Sequence, residues 1–291
     1  PAIAAILVMG GCASKPLMPY TTDTTPLLLA PAIVSDEQDK RGRFREVFCA
    51  VLEARKDSVP DYRSCDEALT TVGKEPPGTG NEINLGESQQ PRLALFVGGV
   101  GWDCFSEWLE LQNTVQKHIS QFGFDASMLS VDSLASSSNN SRQIRDAILA
   151  MPRESGLPDL ILIGYSKGTT DILEAVVSYP EIHERIAAVV SIAGSVGGSP
   201  LANDATQSQL ELLRHWPGAQ CTTGDGGAVE SLRPAKRKTW LANNSLPRDF
   251  PYYSLVTYPK PERISTVLKS SYEKLSRIDS RNDSQILFYD Q

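Results

Sequence analysis

With 291 residues, 41% hydrophobic and 22% charged, the chain has ordinary globular composition and enough length to bury one large α/β domain, with or without an insertion. A formal net charge of −7 argues against a nucleic-acid groove, and the one dense basic run, Arg233–Lys238, reads as a solvated insertion surface. There is no H-E-x-x-H, no C-x-x-C and no dinucleotide fingerprint, so neither a metal nor an organic cofactor is expected.

The chain opens on Pro1–Met9, an apolar run too short to span a bilayer as a helix but suited to the core of a secretory signal. Gly10-Gly11-Cys12-Ala13-Ser14-Lys15 follows and resembles the lipobox of bacterial lipoproteins, with Cys12 as the lipidated residue, although Met9 stands where Leu is more usual. With no initiator Met and no basic leader, residues 1–12 read as a signal entered part-way. Residues 13–38, rich in Pro and Thr at the start, read as a tether. Acyl chains on Cys12 would then hold an exported, soluble body to a membrane of the bacterial envelope. Four cysteines remain, Cys49, Cys65, Cys104 and Cys221. An even remainder in an exported chain suggests two bridges, with Cys49–Cys65 the natural first pair and Cys104–Cys221 the second; four unpaired buried thiols are the alternative.

Residues 39–91 form an N-terminal helical and loop segment. Phe44, Val47, Phe48, Val51 and Leu52 recur at helical spacing within Asp39–Leu69, and Lys74–Arg92 reads as a loop. From residue 92 the signals alternate. Leu93–Val97 is a strand that ends in Gly98-Gly99-Val100-Gly101. Asp103–Phe122 is a helix, Ala126–Val131 a strand, Ser133–Asn140 a loop and Ser141–Ala150 a helix. Leu160–Ile163 is the next strand, Ile172, Leu173, Val176 and Val177 mark the helix after it, and Ile186–Ile192 is a further strand. Residues 200–251 break the rhythm with a helix (Asp204–His215), a Gly-rich turn (Gly224–Gly227) and no clear strand, and read as an inserted cap. A strand (Tyr252–Thr257), a helix (Pro261–Leu275) and a last strand (Gln285–Tyr289) complete the order. Short apolar strands separated by amphipathic helices imply right-handed crossovers and a mainly parallel sheet flanked by helices, an α/β fold.

Between the third of these strands and its helix lies Gly164-Tyr165-Ser166-Lys167-Gly168, a G-x-S-x-G in the strand-turn-helix context that gives the pattern chemical meaning. The glycines let neighbouring segments close in, the serine hydroxyl is pushed outward, and its oxygen meets the positive end of a helix. The bland alternative is a Gly-rich strand-to-helix turn. Over Leu93–Tyr289 the chain resembles the α/β-hydrolase superfamily, in particular lipase- and esterase-like serine hydrolases, through FVGGVGWDCF, LILIGYSKG and IAAVVSIAGSVGGSP. The resemblance implies Ser166 as nucleophile and the backbone amides of Lys167 and Val100 as oxyanion donors, with the Lys167 side chain expected in solvent. It also implies an acid after a late strand, for which Asp283 is first choice and Asp279 and Asp290 are reserves.

The histidine that should complete the set is the difficulty. His118, His183 and His215 all precede Asp283, and each reads as a surface or packing residue. The base is therefore expected beyond Gln291, with His215 as the substitute within the chain. Trp216, Trp240, Tyr252 and Tyr253 are candidates to line an acyl pocket, though such aromatics are more often core. The expected function is hydrolysis of a small-molecule or lipid ester by an exported, lipid-anchored serine hydrolase; a non-catalytic binding or envelope-assembly module and an acyltransferase are the alternatives.

Overall fold

A computed structural model describes residues 38–59, 62–71, 73–88, 92–105, 111–153, 159–205, 222 and 224–291. The proposed signal, tether and lipidation site at Cys12, and with them Cys221, His215, Trp216 and most of the helix expected over Asp204–His215, lie outside these residues. The described residues within Arg92–Asn113 and Ala126–Gln291 form one compact unit, and those within Leu27–Pro91 and Thr114–Asp125 form a second.

The first unit is built on a five-stranded sheet: β1 (Leu93–Val97), β2 (Asp125–Met128), β3 (Leu160–Tyr165), β4 (Ile186–Ile192) and β5 (Tyr252–Leu255), in the order β2-β1-β3-β4-β5. β1, β3, β4 and β5 pair in parallel. A parallel sheet carries helices on both faces, which is why LALFV, LILIGY and IAAVVSI are nearly continuous apolar runs rather than alternating ones. Leu95, Leu162 and Ile186 from the strands meet Ile144 and Ile148 of helix α4 (Ser137–Ala150) and Ile172 of helix α5 (Lys167–Ser178) in one core. Each such side chain contributes roughly 1.5–3 kcal/mol on burial. Between β4 and β5 the described residues form a 3₁₀ turn (Pro200–Asn203) and helices α6 (Ala228–Ser231) and α7 (Pro234–Asn243), and no strand.

Several boundaries differ from those read in the sequence. The expected loop over Ser133–Asn140 is cut short because Ser136 caps a helix that starts at Ser137: its hydroxyl accepts from the Asn139 amide at 3.1 Å while Asp225 accepts from the Ser136 amide at 2.6 Å. The helix expected over Asp103–Phe122 is a 3₁₀ turn at Asp103–Phe105 and helix α3 at Leu111–Ser120. Pro261–Leu275 divides into two 3₁₀ turns and helix α8 (Lys269–Ser276). Gln285–Tyr289 is not a strand. The Asp283 carboxylate takes the amides of Gln285 and Ile286, so the chain turns back, leaving one antiparallel bridge, Asn282 with Leu287, and a 3₁₀ turn at Phe288–Asp290.

The second unit is organised differently. Helix α1 (Arg41–Ala54) stacks Phe44 on Phe48 with centroids 5.6 Å apart, and Cys49 bridges to Cys65 at the start of the short helix α2 (Cys65–Ala68), the pairing expected. The loop after residue 73 is pinned by polar contacts: Glu46 accepts from the amides of Gly80 (2.8 Å) and Thr79 (2.9 Å), and Arg45 pairs with Glu75 at 3.0 Å.

Candidate active site

Ser166 sits at the carboxyl end of β3, between β1 and β4, where the chain leaves the sheet and enters α5 with no intervening loop. So abrupt an exit forces its backbone to φ 53°, ψ −121°, a conformation that a residue with a side chain rarely holds. Three hydrogen bonds keep it there. The Ser166 amide donates to the Ile192 carbonyl at 3.1 Å, and its own carbonyl accepts from the amides of Thr169 (3.2 Å) and Ser195 (3.1 Å). β4 leaves the sheet at the same level, also on a left-handed residue, Ala193 with φ 46°. Both glycines of the motif are there for space: a side chain at Gly164 would run into Thr169, and one at Gly168 into the Val97 carbonyl.

The glycine loop after β1 faces the same hydroxyl. A Cβ on Gly99 would stand 3.0 Å from Ser166 Cβ and 3.3 Å from its Oγ, so a side chain at this position would crowd the serine. Val100 tucks its side chain against Cys104, Leu134 and Ala228, and neither its amide nor that of Lys167 is taken up by a described backbone acceptor. Ser166 is half-buried, not sealed. Beside it Tyr165 is 46% exposed and meets Trp102 edge-on with ring centroids 6.0 Å apart. Tyr165 immediately precedes Ser166 and Trp102 follows the glycine loop; of the aromatics singled out in the sequence, Trp216 lies outside the described residues. Tyr252 packs on Phe250, and Trp240 stacks on Arg237 and lines a separate groove with Lys236, Thr239 and Asn243. Trp102 stood beside the glycine loop and Tyr165 inside the motif, and position alone could have nominated both.

Asp283 lies in the turn described above, with Oδ1 held by the amides of Ile286 (2.6 Å) and Gln285 (2.8 Å) and Oδ2 3.5 Å from Thr257 Oγ1, just past β5. One carboxylate oxygen is thus fixed by two backbone amides, while the other takes a single long hydrogen bond from Thr257 Oγ1. Burial pushes the carboxyl above its ordinary range. Its charge also reaches Tyr165, whose hydroxyl is raised first by burial and then by Asp283. The reserves stand elsewhere. Asp279 pairs with Arg281 at 2.7 Å, and the buried Asp290 lies 3.8 Å from Lys238, with its peptide carbonyl accepting from Gly197.

The Lys167 side chain corrects the expectation of a solvated one. It is 0% exposed, and its ammonium donates to both oxygens of Asp171, each at 2.8 Å. The i, i+4 spacing of the two was visible in the sequence, but helix period alone does not say which face is inside. His183 binds the Asp249 carboxylate at 3.0 Å and the Val176 carbonyl at 2.6 Å, just before β4, at the end of the sheet opposite Ser166. His118, in the second unit, packs edge-on against Phe122. Cys104 is disulfide-bonded, while Cys221, its expected partner, lies outside the described residues. Among the described residues no group of three His, Cys, Asp or Glu side chains is placed to hold a metal ion, and no helix is long and apolar enough to cross a membrane.

Comparison with solved structures gives a metagenomic carboxyl esterase with a TM-score of 0.83 and 31% identity, over 92% of this chain and 81% of that one. The mature form of a Bacillus licheniformis lipase aligns with a TM-score of 0.55 at 18% identity, over 72% of this chain and 82% of the lipase, a likeness of fold alone. No family model and no curated protein matches the sequence.

Proposed function

This chain belongs to the α/β-hydrolase superfamily, and we propose that it is a carboxylic ester hydrolase working through Ser166. The observation that carries the reading is the left-handed Ser166 at the exit of a central strand, with Gly99 leaving room for its hydroxyl and the mouth of α5 behind it. The 31% identity to a carboxyl esterase over nearly the whole chain supports the substrate class.

In this reading Ser166 Oγ attacks the ester carbonyl carbon while a base takes its proton. The carbonyl oxygen becomes an oxyanion, received by the amides of Lys167 and Val100 at a helix start where negative charge is favoured. Collapse expels the alcohol, which takes the proton back from the base and leaves an acyl-serine. Water, deprotonated by the same base, then releases the acid and restores the hydroxyl. Asp283 serves as the orienting carboxylate: its Oδ2, which takes only a long hydrogen bond from Thr257 Oγ1, would accept the Nδ1–H of a histidine contributed from outside the described residues. Trp102 and Tyr165, in edge-on contact with each other beside the elbow, are the aromatics this reading assigns to the acyl group. Export with lipidation at Cys12 belongs to the same proposal and is supported by the Cys49–Cys65 disulfide, a bond of oxidising compartments; loss of radiolabelled palmitate from a Cys12→Ser chain in a bacterial host tests it.

A fluorophosphonate probe tests the chemistry. The chain should label at Ser166 and hydrolyse a p-nitrophenyl ester, and Ser166→Ala should abolish labelling and lower kcat by at least about 10³-fold. A chain that neither labels nor turns over esters is a binding module on a hydrolase fold.

A further inference from the structure

Behind the elbow lies a set of buried charges for which the reaction above has no use. Lys167 Nζ donates to both carboxylate oxygens of Asp171, one turn along α5, and both side chains are 1% exposed. Asp171 also accepts from Asn140 Nδ2 of α4 at 2.7 Å. One turn further on, Glu174 pairs with Arg237 of α7 at 3.2 Å. Arg237 Nε in turn donates to the Val196 carbonyl at 3.2 Å, next to the Ser195 whose amide holds the Ser166 carbonyl.

Fold stability does not account for the first of these pairs. A cation in the first turn of a helix opposes the helix dipole, and a buried ion pair gives no more stability than an apolar pair of the same volume. What the pair does supply is direction. The peptide between Ser166 and Lys167 joins a strained residue to the amide proposed to receive the oxyanion, and strain of this kind relaxes by rotation of that peptide. A lysine whose far end is tied to α5, through a carboxylate tied in turn to α4, resists the rotation.

We infer that Lys167 is a positioning residue, its side chain clamped by Asp171 and Asn140 so that its own backbone amide stays aimed at the reacting carbonyl. The inference rests on the serine-hydrolase reading. The test is the double variant Lys167→Met with Asp171→Leu, which removes both charges and keeps the volume. It should melt within a few degrees of the parent yet lose about tenfold in kcat with KM within twofold, part of the 10²–10³ that a lost oxyanion donor costs. Affinity for a boronic-acid transition-state mimic should fall by a similar factor. Lys167→Arg, which keeps the ion pair, should recover most of the rate. In case the double variant does not fold, Asn140→Ala, which leaves the pair but unties it from α4, should lower kcat about threefold at constant KM. Wild-type kcat in a folded double variant, or in Asn140→Ala if only that folds, overturns the inference and leaves the esterase reading intact. Absence of labelling and turnover in the parent chain overturns both.

Discussion

Helices α1 and α5 are close in length, 14 and 12 residues, yet α5 buries nine of its residues and α1 only Gly42. The first belongs to a unit closed by a disulfide and by carboxylates reaching backbone amides, the second to a unit closed around a buried apolar core. The contrast teaches where precision is needed. A strained residue such as Ser166 has to be over-determined from every side, and close packing does that better than a covalent staple and a set of solvent-facing polar contacts.

The widest separation between the two units should come from Leu162→Ala. This residue of β3 is fully buried, and its truncation should cost about 2–5 kcal/mol in a urea melt, with slower fluorophosphonate labelling of Ser166. Replacing both Cys49 and Cys65 by alanine removes a closure over 16 residues, worth roughly 3 kcal/mol. Amide exchange should accelerate across α1 and α2 while β3 keeps its protection; equal acceleration in both would show that the units are not distinct in kind. The finest distinction is in pH, and its sign differs between the units. Burial lifts the Asp290 carboxyl from its ordinary 3.8 to about 6, so the stability tied to its neutral form is complete below pH 3.8 and is lost as pH rises through 6, up to about 3 kcal/mol in all. Asp290→Asn should therefore raise the melting temperature at pH 7 and leave it unchanged at pH 4. Glu46, held down to about 2 chiefly by the Gly80 amide, works the other way. The protection it gives Thr79 and Gly80 stands above pH 4.5 and is lost as pH falls through 2, a loss that hydrogen exchange should follow and that Glu46→Gln should bring to neutral pH.

The interior strands were legible because parallel strands covered on both faces leave unbroken apolar runs: Leu93–Val97 and Ile186–Ile192 fall where the sequence put them, and β3 extends two residues past Ile163. The elbow was legible because its glycines have no substitute. Legibility failed where a side chain overrules a pattern. Gln285–Tyr289 reads as a strand until Asp283 takes its amides, and Lys167 reads as solvated until Asp171 meets it in the interior. The helical spacing of Phe44, Val47, Phe48, Val51 and Leu52 announced α1, but it did not say how far they would be covered: none of the five is fully buried.

The pairing of β3 with β4 carries one irregularity, at the end away from Ser166. Leu160 faces Ile186 and Ile161 faces Ala188, so Ala187 is left over; beyond it the two strands run in step to Tyr165 and Ile192. That spare residue takes up slack. Had the surplus fallen at the other end, Ser166 and Ala193 would turn out of the sheet at different heights, and a shift of one residue swaps the two faces of a strand. A lineage that gains or loses a residue ahead of β4 can therefore absorb the change at this bulge, and length variation among descendants should gather there and spare the rim that carries Ser166 and Ala193.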